Sequence, residues 1–316
     1  MPSSPLPVVP ALTLRRIIGL ALLLALVTAF TACSMVRLAY DQAPNLLYWR
    51  IDSYVDVNGE QTPRLRDAIE RWFAWHRRTQ LPEYVALLVR AQREIVEPMT
   101  PAGMCAWAAE TERRVDALLE EALPATAELL PTLTPEQLQH IERRMAKGEE
   151  EWRVDVLQPD LAERRAASLR RSQDRFEMLY GRLDAAQRER LSALLATSSF
   201  DPARWLAERR LRNRDMLQIL ANVGAVGRNG GERAAALQQA QAAARALFER
   251  ATHSPRPDYR AYQQRLLQEN CALAASMHNA MTIAQRQNAR ARLKGWEDDL
   301  RVLITAGPGN GATASR

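Results

Sequence analysis

Lysine is nearly missing from this 316-residue chain: Lys147 and Lys294 stand among 43 basic residues, so the net charge of +6 is an arginine charge. An arginine skew of this kind follows codon bias in a GC-rich genome more readily than phosphate chemistry. Stretches such as "ERRAASLRRSQDR" (163–175) alternate bases with acids, as solvated helix faces do. Glycine is scarce at 13 and aromatic residues make up 6%. A sheet protein would be richer in aromatic and β-branched side chains, so the composition reads all-α. Long hydrophobic runs are missing too. The longest, "IIGLALLLALVTAF" at 17–30, would rise about 21 Å as a helix, short of the roughly 30 Å hydrocarbon core of a bilayer. No HExxH and no nucleophile elbow occurs, and His140, His253 and His278 are scattered. No catalytic residue, metal site or cofactor is therefore assigned, and no enzyme activity is expected.

Three cysteines are present, and the first has an informative setting. Residues 1–32 parse as a signal peptide: Arg15 and Arg16, the apolar run, then Thr31 and Ala32. "FTAC" at 30–33 resembles the bacterial lipobox, departing from it at Phe30, where leucine is usual. The resemblance implies cleavage before Cys33, with a diacylglycerol thioether and an N-acyl chain on that residue. By the rule of thumb for such proteins, Ser34 sends the mature chain to the outer membrane and aspartate there would retain it in the inner. The expected address is the periplasmic face of the outer membrane, with the bilayer as a partner through acylated Cys33, envelope proteins or anionic lipid as further partners, and nucleic acid out of reach. An ordinary secretory peptide with an incidental cysteine and an uncleaved anchor are the alternatives. Cys105 and Cys271 then form an even pair in an oxidising compartment, to be read as a disulfide or as two separately buried thiols.

From 33 to 304 the punctuation predicts one all-α domain of about a dozen helices, with a disordered tail at 305–316. Proline follows a capping residue at Thr100, Thr134 and Asp201, and each pair should open a helix. Leu138, Ile141, Met145, Trp152 and Val156 share a side and read as a core stripe, while the Ala-rich 233–247 suits close packing. Loops are expected at 223–232 and 252–258. "LTPEQ" (133–137), "LDAAQ" (183–187), "MTIAQ" (281–285) and, more weakly, "VNGEQ" (57–61) each place Thr, Asp or Asn three residues before Gln, the capping-box spacing. The same pattern resembles the Leu-Thr-x-x-Gln motif of periplasmic helical stress proteins and chaperones, complete only at Leu133, Thr134 and Gln137. "CSMVRLAYDQAPNLLYWRIDSYVDVNGEQ" with "WFAWHRRTQLPEYVALL" resembles an uncharacterised proteobacterial lipoprotein family, a domain of unknown function. That resemblance implies a class and no activity.

The densest chemical cluster is "RWFAWHRR" (71–78). Trp72, Trp75, Arg71 and Arg78 fall near one side of a helix beside His76, which suits a glycan or lipid-headgroup patch or, alternatively, a Trp-rich core seam. Asp52 and Asp56, four apart, could form a carboxylate pair, but glycan cleavage also needs a cleft, and surface or arginine-bridged acids need no such role. The expected function is interaction at the cell envelope. A periplasmic chaperone or stress protein and a cell-wall-active enzyme are the alternatives.

Overall fold

The computed structural model describes residues 35–158, 160–228 and 233–306. Cys33, the signal segment and the tail from 307 lie outside them. The order is α1 (Met35–Val55), α2 (Gln61–Trp75), a π turn (His76–Gln80), α3 (Leu81–Glu94), α4 (Pro101–Leu129), a 3₁₀ turn (Leu130–Thr132), α5 (Pro135–Val156), α6 (Leu161–Tyr180), α7 (Ala185–Ala196), α8 (Pro202–Arg228), α9 (Arg233–Thr252), α10 (Pro257–Asn279) and α11 (Ile283–Thr305). The fold is an all-α multi-helix bundle. Because α2, the π turn and α3 form one continuous rod, the described residues make ten rods, fewer than the dozen expected. The helices run longer than the punctuation suggests. Pro44 and Pro124 sit inside α1 and α4, and α8 continues through 223–228, where a loop is expected. No helix among the described residues is long and apolar enough to cross a membrane.

Three apolar clusters hold the rods together. The largest joins Leu123 and Ala127 of α4, Ile141 of α5, Leu220 and Val223 of α8, and Ala240, Ala243 and Ala244 of α9. The small side chains of α9 do what the Ala-rich stretch predicts. A second cluster gathers Tyr180, Leu183, Leu191, Met277, Met281 and Ala289 from α6, α7, α10 and α11 and the turns before α7 and α11. A third packs Tyr48 of α1 against Leu65 and Ile69 of α2. The 29 residues of α4, about 43 Å of helix, lie against α2, α9 and α10, while α11 lies along α3.

Thr100, Thr134 and Asp201 all cap as their sequence setting predicts, each side chain accepting from an amide of the first turn. The four box motifs do more than cap: they are joined in two pairs. Gln137 Nε2 donates to Gln61 Oε1 at 2.7 Å and Gln61 Nε2 to Gln137 Oε1 at 3.2 Å. Gln187 and Gln285 exchange the same two bonds at 2.7 and 2.9 Å. Each glutamine oxygen also accepts from the amide of its own cap residue, Asn58, Thr134, Asp184 or Thr282. Each nitrogen also donates to a carbonyl two residues before the partner's cap: Thr132, Asp56, Ala280 or Arg182. Both hydrogens and both lone pairs of every side-chain amide are thus engaged. The residue before three of the caps is buried (Leu133, Leu183, Met281), as is the residue four beyond every glutamine (Leu65, Ile141, Leu191, Ala289), so each pair fixes two helix starts over a core.

Gln187→Ala is expected to cost about 2–3 kcal/mol, since it removes one box and leaves buried polar groups of its partner unmatched. Gln187→Ala and Gln285→Ala should cost far less together than the sum of the two, whereas Gln187→Ala with Gln61→Ala should be additive. Denaturant melts of the singles and doubles read this directly, and additivity within a pair would dissolve the linkage.

Candidate functional site

The "RWFAWHRR" segment forms a seam. His76 is buried, stacked on Trp72 (ring centroids 5.1 Å apart, 14° between planes), with Nδ1 3.0 Å from the Tyr40 hydroxyl and the edge of Tyr84 nearby. The Trp72 indole donates to the carbonyl of Leu118 on α4 at 3.1 Å, and Trp75 tilts against Trp72. Desolvation lowers the His76 pKa to about 4, so the ring is neutral near pH 7 and supplies no cation. Arg71 and Arg78 lie exposed on the rod. The arginine over this cluster is Arg77, 5.3 Å from the Tyr40 ring centre and 3.8 Å from Asp41. The arrangement matches the core-seam alternative.

The other candidates are also structural. Asp52 Oδ1 accepts from the amide of Val57 at 2.9 Å, and Asp56 takes a positive φ of 58° where α1 ends, so the two acids close a helix. His278 is fully buried. Its Nε2 lies 2.7 Å from the Glu97 carbonyl, which can only accept, so Nδ1 accepts from the Tyr180 hydroxyl at 2.8 Å. Burial pushes the Tyr180 pKa up to about 12 and lowers that of His278, consistent with a neutral strap between α6, α10 and the turn after α3. Among the buried acids, Glu208 accepts from Ser254 and Arg256, Glu110 from Arg113 and Arg114, and Glu297 from Gln92 and Arg301. Among the described residues no His, Cys, Asp or Glu group could hold a metal ion. Cys105 and Cys271 are bridged, with Cα atoms 5.3 Å apart, and the bond ties the start of α4 to α10 across 166 positions.

A cleft that no sequence motif announces lies between α1, α5 and α8. It is built by Arg50 and Tyr54 of α1, Arg144, Lys147, Gly148, Glu151, Trp152 and Asp155 of α5, and Arg209 of α8, and its volume is about 260 Å³. Trp152, expected in the core, is half-buried in its wall and stacked on Trp205 of α8, ring centroids 4.2 Å apart. The guanidinium carbons of Arg50 and Arg144 lie 4.7 and 5.4 Å from the centre of the Tyr54 ring. A Cβ on Gly148 would stand 3.2 Å from Arg209 Nη2 and 3.8 Å from the Tyr54 hydroxyl, so the bare glycine leaves room for both. The only sequence signal is the glycine inside α5, which costs a helix about 1 kcal/mol relative to alanine and so asks for a reason.

The described residues thus form an all-helical body whose buried histidines are held by hydrogen bonds and whose surface carries a polar cleft. Residues 53–230 match the model of a family of unknown function, DUF6279, and the chain belongs to that family. No curated protein matches the chain, and no solved structure does. The family match covers most of the cleft and one of the two glutamine pairs, while α9, α10 and α11, which complete the cores, lie beyond it.

Proposed function

We propose that this protein is an acylated lipoprotein on the periplasmic face of the outer membrane, and that it works by binding at the envelope without catalytic turnover. The observation that carries the reading is the surface of α1, which begins two residues after Cys33. Leu38, Leu46 and Trp49 share one face of this helix and are 55%, 61% and 60% exposed. Such a face beside an acyl anchor suits the boundary between headgroups and acyl chains, with Trp49 at the interface and Arg50 flanking it. Of the other three aromatic residues of α1, Tyr54 lines the cleft and two turn inward. Tyr40 meets His76, and Tyr48 is buried beneath Arg66 with its hydroxyl 3.3 Å from that of Thr62. The lipobox resemblance supplies the anchor, and a disulfide suits an oxidising compartment. No Ser, Gly or Pro-rich tether separates Cys33 from α1, so an anchored body would rest close to the bilayer.

Vesicle sedimentation tests this contact. A chain starting at Met35, without the acylated cysteine, is expected to bind anionic vesicles weakly at low salt, to lose most binding at physiological salt, and to bind several-fold less after Trp49→Ala. Absence of binding at low salt would reduce α1 to a tether.

A further inference from the structure

The cleft between α1, α5 and α8 collects cations that the protein itself does not neutralise. Lys147 has a carboxylate, Glu151, 3.8 Å away. Arg50, Arg144 and Arg209 have none within 4 Å among the described residues. Asp155, at the rim, pairs with none of them. Arg144 Nε is buried without a hydrogen-bond partner. Four basic and two acidic side chains line the space, a surplus of two positive charges. Holding like charges together around one tyrosine is unfavourable unless an anion completes the site.

We propose that this cleft is a phosphate-binding site, which takes the phosphate ester of its ligand between Arg144 and Arg209 above Gly148. A phosphate monoester carries about −1.5 to −2 charge at pH 7, which matches the surplus, and a phosphodiester such as a phospholipid headgroup, with its one negative charge, offsets part of it. Planar guanidinium groups bind phosphate oxygens in bidentate fashion, and arginine is the base that the site supplies. Arg50 Nη2 donates to the Tyr54 hydroxyl at 3.5 Å, which leaves the hydroxyl hydrogen free for an oxygen of the ligand. Gly148 is the floor, and any side chain there would meet the Arg209 guanidinium. A volume of about 260 Å³ falls just below the usual range of small-molecule pockets, so it suits a headgroup-sized ligand. The neighbouring hollow along α8 and α9 shares Arg209, but its Arg212 and Arg250 have carboxylates 3.9 and 4.0 Å away, Glu208 and Asp215, so the protein itself neutralises those charges.

The ester has two possible sources, a phospholipid headgroup at the membrane surface or a soluble phosphate compound. The test uses the full chain in non-ionic detergent. In one arm it is titrated calorimetrically with inorganic phosphate against acetate at equal ionic strength. In the other its thermal stability is followed in micelles doped with phosphatidylglycerol or phosphatidylcholine. Saturable binding in either arm is expected, weakened at least tenfold by Arg144→Gln with Arg209→Gln. Gly148→Ala should also weaken it while leaving the melting temperature unchanged or higher, which separates loss of the site from loss of the fold. Binding of phosphate alone identifies a soluble source, and a response to phosphatidylglycerol alone a lipid source. Failure of both anions to bind, acetate binding as well as phosphate, or full binding by the double arginine variant would overturn the proposal. The site does not depend on the acyl anchor, so it can fail while the lipoprotein reading holds.

Discussion

Replacing Cys105 and Cys271 together by alanine is expected to destabilise the protein by about 5 kcal/mol, the chain-entropy value for closing a loop of this length. The native bridge joins two helices whose other contacts already bring them together, so it acts chiefly on the unfolded chain, where it forbids most separations of α4 from α10. At about 2–4 °C per kcal/mol for a domain of this size, the melting temperature should fall by about 10–20 °C. Thiol chemistry reads the same bond. The native protein, and the unfolded but unreduced chain, should take up no blocking reagent at Cys105 or Cys271 until a reductant is added. Labelling without reduction, together with an unchanged melting temperature in the double variant, would remove the bridge.

Cys33→Ala is expected to abolish acylation and release the chain from the outer-membrane fraction, leaving an unprocessed or mislocalised precursor. The size of the effect follows from the anchor. Each buried methylene contributes about 0.8 kcal/mol, so several acyl chains hold a protein on the bilayer permanently, while one amphipathic surface holds it weakly and reversibly. The exposed face of α1 cannot replace the acyl chains. Leu38, Leu46 and Trp49 offer three large apolar side chains, and any contribution from Arg50 and the net charge is screened by salt. Normal fractionation of the variant at an unchanged mass would remove the lipobox from the argument.

What could be read in the sequence was what local chemistry decides. A threonine or aspartate before proline, or three residues before glutamine, fixes a helix start through bonds made within one turn, and those starts were legible at Thr100, Thr134, Asp184, Asp201 and Thr282. The alanines of α9 were legible as a packing surface, and the all-α class followed from composition. The joining of the boxes was not, because Gln61 meets Gln137 and Gln187 meets Gln285 across 76 and 98 positions. Helical phase grouped Arg71 and Arg78 with the tryptophans, whereas both lie exposed and Arg77 is the arginine that sits over the Tyr40 ring. Trp152 satisfied the spacing of a core stripe, yet that stripe curves onto α8 and leaves the indole stacked on Trp205 in a cleft wall. The cleft itself draws on residues 50, 144 and 209, each an unremarkable arginine in a chain full of them, and only the fold makes them neighbours.

The central claim is that the mature protein begins at Cys33 and carries its membrane anchor there. The most direct test is mass spectrometry of the N-terminal peptide of the native protein taken from the outer-membrane fraction. The reading predicts a peptide starting at Cys33, bearing a diacylglyceryl group and an N-linked acyl chain, with residues 1–32 gone. An unmodified cysteine, an N-terminus elsewhere, or a retained signal segment would contradict it.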